Sequence, residues 1–204
     1  MSAAFKFLLF NALILLLFGS QNCFAQRVLQ KWDDRIMINL AENRTPEKTG
    51  LMLFLSKTYT YGDIGVPAAL LAGGVIGNDR QMRENALYVA SSTAVTYGLN
   101  QLIKVIVKRP RPFIQNIKIV PVYQAREYSF PSGHTSSTIA TATALSVAYP
   151  KWYVIAPAFL WAGSVSYSRM YLGVHYPTDV AGGALLGAGT AVSLSFMKAN
   201  QPTP

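Results

Sequence analysis

Residues 168–197 read SRMYLGVHYPTDVAGGALLGAGTAVSLSFM, twelve positions dense in polar chemistry followed by eighteen without a charge. The uncharged run approaches the roughly 20 residues a helix needs to cross a bilayer. Its Gly182, Gly183, Gly187 and Gly189 leave room for close helix contacts, so it predicts a packed helix. In front of it stand Arg169, His175, Pro177 and Asp179. The chain has nine carboxylates and two histidines in 204 residues, so an acid four positions after a histidine is informative. One reading is a nucleophilic imidazole whose other nitrogen is held by Asp179, with Arg169 placed for an anion. The other is a surface histidine beside a helix start, with Asp179 in the first turn after Pro177.

Four more uncharged segments, residues 64–78, 86–103, 128–150 and 152–168, repeat the pattern upstream. Composition agrees: 51% of residues are hydrophobic and only 13% charged, against about 25% charged in an ordinary soluble domain. The fold class expected is all-α, a helical bundle with about five transmembrane helices. The buried helical core of a soluble enzyme is the alternative. A net charge of +9 can signal nucleic acid, but these cations cluster at segment ends without interleaved aromatics. Anionic lipid headgroups or phosphate esters fit better, and no nucleic-acid partner is expected.

Residues 1–25 read as a secretory signal peptide. Lys6 supplies the positive start, residues 7–18 the apolar stretch, and Cys23, Phe24 and Ala25 the cleavage site. An uncleaved anchor and a lipoprotein start at Cys23 are the rival readings. Cleavage would remove the one cysteine and leave no disulfide. Residues 26–60 form a polar arm in which Trp32, Ile36, Ile38 and Leu40 with Asp33 and Asp34 suggest an amphipathic helix. That helix breaks at Thr45 and Pro46, and a second short helix begins at residues 51–55; both suit a membrane interface or a solvated arm. The bundle domain is expected over residues 61–198, with a polar tail at 199–204.

Two further motifs lie upstream. Residues 128–138 read YSFPSGHTSST, placing His134 just after Pro131, Ser132 and Gly133 at an expected helix start. Free N–H groups beside a glycine there make an anion site; a capped helix that merely carries a histidine is the alternative. Residues 104–112 read KVIVKRPRP, four cations followed or interrupted by helix-stopping prolines. They suit a basic loop flanking a membrane segment, or an ammonium and a guanidinium aimed at phosphate oxygens.

Lys104, six residues, then Arg111 and Pro112; Pro131, Ser132, Gly133 and His134; Ser168 and Arg169, five residues, His175, three residues, Asp179. This order and spacing resemble the three-part signature of the type 2 phosphatidic acid phosphatase superfamily. That group includes class A acid phosphatases and vanadium haloperoxidases. The resemblance spans residues 104–179. It implies that Lys104, Arg111, Arg169, Ser132 and the N–H of Gly133 bind the phosphoryl group. It further implies that His175 attacks phosphorus, Asp179 orients His175, and His134 protonates the leaving oxygen. Neither a paired-carboxylate motif for magnesium nor a Cys and His cluster for zinc accompanies these residues, so no metal and no cofactor is expected.

The implied activity is metal-independent hydrolysis of a membrane lipid phosphate through a phosphohistidine. Phosphatidic acid, phosphatidylglycerol phosphate, undecaprenyl diphosphate and lipid A are the candidate substrates. A soluble periplasmic acid phosphatase and a non-catalytic headgroup binder are the alternatives. With residue 26 outside, the segments alternate so that Arg80 and Arg83 lie in the cytoplasm and all three motifs share the outer face. The expected location is the bacterial inner membrane with the site facing the periplasm.

Overall fold

The structure is a computed structural model that describes residues 24–199. The expected signal peptide and most of the polar tail therefore lie outside the described residues. Six helices carry the fold: α1 (Phe24–Glu42), α2 (Pro46–Ile76), α3 (Arg80–Val107), α4 (Gly133–Ala148), α5 (Trp152–Tyr171) and α6 (Pro177–Ser193). A single turn (Pro112–Gln115) lies between α3 and α4, and a 3₁₀ turn (Ser195–Met197) follows α6. Among the described residues there is no strand, as the all-α reading requires.

Local sequence sets the boundaries. Thr45 caps α2 through the Lys48 N–H (3.3 Å), with Pro46 at the first helical position. Asp79 caps α3 through the Met82 N–H (3.0 Å). That helix ends where Lys108 turns left-handed (φ 50°), two residues before Pro110. Pro177 opens α6 with Asp179 in its first turn.

Helix α4 occupies the centre, against α2, α3, α5 and α6. Its sequence, GHTSSTIATATALSVA, is nearly all small residues, which lets four neighbours approach closely. The tightest approach is to α6. A Cβ on Gly187 would lie 2.2 Å from the Ser136 carbonyl oxygen, and one on Gly183 would lie 2.8 Å from the Ser132 carbonyl oxygen. Gly187→Ala is therefore expected to force the helices apart and destabilise the fold by about 1–3 kcal/mol. Gly98→Ala on α3, where nothing lies within 4 Å, should be neutral or slightly stabilising. Thermal unfolding of the two variants decides this; equal melting temperatures would refute the close-packing account.

One expectation is met in part and another needs correction. The five uncharged segments fall largely in helices, and among the described residues no helix is long and apolar enough to cross a membrane. α4 and α6 have 16 and 17 residues, and α4 and the end of α5 carry the buried hydroxyls and the arginine of the site, which lower their apolarity. In addition, residues 51–55 and 64–76 belong to one continuous helix of 31 residues. The boundary read at residues 60 and 61 falls inside it.

The N-terminal arm also turns a different face inward. Trp32 is half exposed, while Asp33 and Met37, one turn apart, are fully buried. Met37 packs on Ile119 and Tyr176, next to the site.

Candidate active site

The three motifs meet at one end of the bundle. Lys104 comes from the last turn of α3, Arg111 from the segment after it, His134 from the first turn of α4, Arg169 from the last turn of α5. His175 lies in the turn leading into α6, and Asp179 in the first turn of that helix.

The cations are buried and held by backbone oxygens. Arg111 donates through Nε to the Glu127 carbonyl (3.0 Å), through Nη2 to Arg126 (2.7 Å) and through Nη1 to Val174 (2.8 Å). Lys104 Nζ donates to the Tyr128 carbonyl (2.5 Å). Arg169 reaches Ser56 Oγ of α2 and lies 5.7 Å from the centre of the Tyr123 ring, while its Nε is buried with no partner. Burial first, and then the charge of Arg111, bring Lys104 down to about 8. Neutral carbonyls fix these groups without cancelling their charge, so the pocket keeps a positive excess.

His175 faces this pocket. Its Nε2 lies 3.3 Å from Arg111 Nη1. Arginine can only donate, so Nε2 carries the lone pair and the ring proton sits on Nδ1. Nδ1 points at Asp179 Oδ2 across 3.7 Å, too far for a hydrogen bond, and is buried without a partner. Burial, with the charges of Arg111 and Arg169, lowers His175 to about 3 against the opposing pull of Asp179. The imidazole is therefore neutral at pH 7. Burial alone would raise the Asp179 carboxyl, but His175, Arg109 and Ser129 outweigh it and hold it below its ordinary value.

Asp179 is the helix-start acid and also the carboxylate that faces His175 Nδ1, so the two arrangements that sequence left as alternatives are compatible. Its Oδ2 accepts from the Tyr176 N–H (2.8 Å) and from Ser129 Oγ (2.5 Å), and its Oδ1 accepts from Arg109 Nη1 (2.6 Å).

His134 lies on the ring of Tyr59 (3.8 Å between centroids) and within electrostatic range of Arg169, His175, Arg111 and Lys104. Ser132 is fully buried at the position before α4, where its side chain makes no capping bond; its N–H is taken by the Asp179 carbonyl (3.0 Å) and its Oγ accepts from Thr135 Oγ1 (3.0 Å). Gly133 begins the helix, where the first N–H groups have no carbonyl one turn behind them. Every residue singled out from sequence thus stands at this one place.

Several neighbours had no signal in the sequence. Asn100 holds the start of α4 through Pro131 O (3.3 Å) and Ser136 Oγ (3.0 Å), while Ser129 and Arg109 hold Asp179. Tyr59 and Ser56 arrive from α2, far away in the chain. Only Arg109 had a cue, as a spare cation in a basic run. Among the described residues, no three His, Cys, Asp or Glu side chains are grouped as they would be to hold a metal ion.

Residues 85–201 match the model of the PAP2 superfamily. The undecaprenyl-diphosphatase of Sulfolobus acidocaldarius is 34% identical over 187 residues, covering 89% of this chain and 82% of that one. The undecaprenyl-diphosphatase BcrC of Bacillus subtilis is 29% identical over 149 residues, 72% of this chain and 71% of that one. In fold, a transmembrane PAP2-type phosphatidylglycerolphosphate phosphatase from Bacillus subtilis superposes with a TM-score of 0.74 at 23% identity, over 93% and 94% of the two chains.

Proposed function

The chain belongs to the PAP2 superfamily, and from that membership we propose that it hydrolyses a lipid phosphate, with a polyprenyl diphosphate as first substrate. The observation that carries this reading is the neutral Nε2 of buried His175 at the edge of a three-cation pocket. Lys104, Arg111 and Arg169 hold the non-bridging oxygens of the terminal phosphoryl group, and the unpartnered Arg169 Nε takes one of them. The free N–H groups from Gly133 onward add donors. Such fixed charge matches the transition state of phosphoryl transfer better than the ground state.

The lone pair of His175 Nε2 attacks phosphorus in line. A P–N bond forms, the bond to the leaving oxygen breaks, and His134 gives that oxygen a proton. Burial and the charges of Arg169, His175, Arg111 and Lys104 keep His134 neutral in the free enzyme, so it takes up this proton only once the bound phosphate dianion offsets the cations. The ring is now cationic, with its Nδ1 proton facing Asp179, whose charge stabilises it. Water then attacks the phosphohistidine and gives a proton to His134. The P–N bond breaks, and inorganic phosphate leaves with both histidines restored. No step draws on a metal ion.

A groove of about 590 Å³ supports a lipid as the leaving part. It begins at Tyr59, the ring against His134, and runs between α2 and α3 past Ile64, Pro67, Leu71 and Leu87. Twelve residues of helix give it a length of about 18 Å, room for several isoprene units or most of an acyl chain. The bundle also exposes Ile64, Val75, Leu102, Val105, Ile106 and Leu160, an apolar surface that suits lipid more than water. Arg80 and Arg83 begin α3 at the end away from the site, consistent with a site on the periplasmic side of the inner membrane.

Carbonate-washed membranes containing the full chain are the material for the test. They should keep the activity, release phosphate from undecaprenyl diphosphate in EDTA, and be inhibited by vanadate, a mimic of five-coordinate phosphorus. Activity that leaves with the carbonate wash would place the enzyme outside the membrane. Activity lost in EDTA and restored by magnesium would overturn the mechanism.

A further inference from the structure

Arg109 is not used by the mechanism above, yet among the described residues it is the cation that meets two buried carboxylates. Its Nη1 reaches Asp179 Oδ1 (2.6 Å) and Thr178 Oγ1 (2.7 Å). Its Nη2 reaches Asp33 Oδ2 and Gln30 Oε1 (both 2.8 Å), and its guanidinium carbon lies 4.2 Å from the centre of the Tyr176 ring. Asp33 comes from α1 and is as fully buried as Asp179. Its Oδ1 accepts from the Thr178 N–H (3.1 Å), and Thr178 Oγ1 donates to Oδ2. The N-terminal helix is thereby fastened to the first turn of α6, on the side of Asp179 away from His175.

Charge counting gives this arrangement a meaning. Arg109 beside Asp179 alone would form a neutral pair, leaving little negative charge to support a cation on His175. A second buried carboxylate on the same guanidinium restores one net negative charge at the far side of the His175 ring. We infer that Asp33 is a positioning residue for phosphoryl transfer: as the counter-ion of Arg109, it leaves the charge of Asp179 available to His175. This rests on His175 being the nucleophile. The helix that sequence marks as a solvated or interfacial arm is then part of the catalytic apparatus, although it touches no reacting atom.

Other charges face His175 and Asp179 and bear on the test. They are Lys104 from α3, Arg111 from the segment after it, His134 from α4 and Arg169 from α5, with Glu127 acting in turn on Lys104 and Arg111. None of these is altered in the variants below. Burial raises the Asp33 carboxyl, whereas Asp179 is held low. On acidification Asp33 therefore loses its charge before Asp179 does.

The test compares Asp33→Asn, Arg109→Gln and the double variant in the full-length chain, with kcat, KM, vanadate inhibition and the pH profile on one lipid phosphate. Asp33→Asn should lower kcat about 10- to 100-fold, as expected for a misplaced or mischarged support, with KM and vanadate affinity within about threefold. It removes a negative charge, so protonated His175 is disfavoured. The shift is read in kcat, whose acidic limb the bound phosphate should lift above the range in which Asp33 itself takes a proton, and that limb moves down, by about one pH unit. Arg109→Gln removes a positive charge and should move the same limb up. The double variant keeps Asp179 as the one charge in the cluster and should bring the limb back toward wild type. Limbs that stay together, or kcat losses that simply multiply in the double variant, would show that the network only holds the fold. Should Asp33→Asn fail to fold, the limb of Arg109→Gln decides alone: a rise supports the inference and no movement ends it. A wild-type chain inert toward every lipid phosphate would instead bring down the phosphatase reading, and this inference with it.

Discussion

His175→Ala is expected to lower kcat by about 10,000-fold or more, the scale on which loss of a nucleophile is felt. The three cations do not depend on the imidazole for position. Arg111 is fixed by three carbonyls, Lys104 by one, and Arg169 by Ser56. Vanadate inhibition and KM should therefore change little, which separates loss of chemistry from loss of the pocket. The native enzyme should also keep its activity well into acid. His175 is lowered to about 3, so its attacking form is present throughout the range above that, and activity falls only as the ring takes a proton. A bound phosphate dianion opposes this lowering, so the limb seen in kcat should lie above the one seen in kcat/KM. An alanine variant that keeps a tenth of wild-type turnover would remove His175 from the mechanism.

His134→Ala should show a loss that depends on the leaving group. Removing a general acid costs about 100- to 10,000-fold when the leaving oxygen needs a proton. The alkoxide of phosphatidic acid needs one most. Polyprenyl phosphate, the group released from a polyprenyl diphosphate, has a second pKa of about 6 and needs one little, and p-nitrophenolate needs one little as well. Losses in His134→Ala should be large for phosphatidic acid and small for the other two, and in His175→Ala alike for all three substrates. A uniform loss in both variants would mean that His134, stacked on Tyr59, shapes the start of α4 without moving a proton.

The candidate site was legible in the sequence because three motifs with few residue types at fixed spacing resemble the family's signature. His175 and Asp179 bridge the turn into a proline-started helix, and Pro131 to His134 mark another helix start, so local rules located both. The all-helical fold was legible for a similar reason: uncharged segments with glycine and alanine have few other ways to satisfy their backbones. What stayed hidden depends on contacts distant in the chain. Asp33 pairs with Arg109 across 76 positions, and in sequence it looks like the polar side of an amphipathic helix. The single helix α2 was read in pieces because Lys57, Gly62, Asp63 and Pro67 interrupt its apolar pattern. Asp63 is nevertheless bonded to Thr141 of α4 (2.9 Å), and Gly62 gives Trp161 its place. Tertiary partners overrode the local signals there.

The claim on which the account stands is a covalent phosphoryl group on His175, and rapid acid and alkaline quenching during turnover measures it directly. With undecaprenyl diphosphate labelled in its terminal phosphate, the native chain should yield a phosphoenzyme that is labile in acid and stable in alkali. Peptide mapping should place the label on His175. His134→Ala should still form it from p-nitrophenyl phosphate, and His175→Ala should form none from any substrate. Steady turnover without a trapped intermediate, or a label that persists in His175→Ala, would contradict the account.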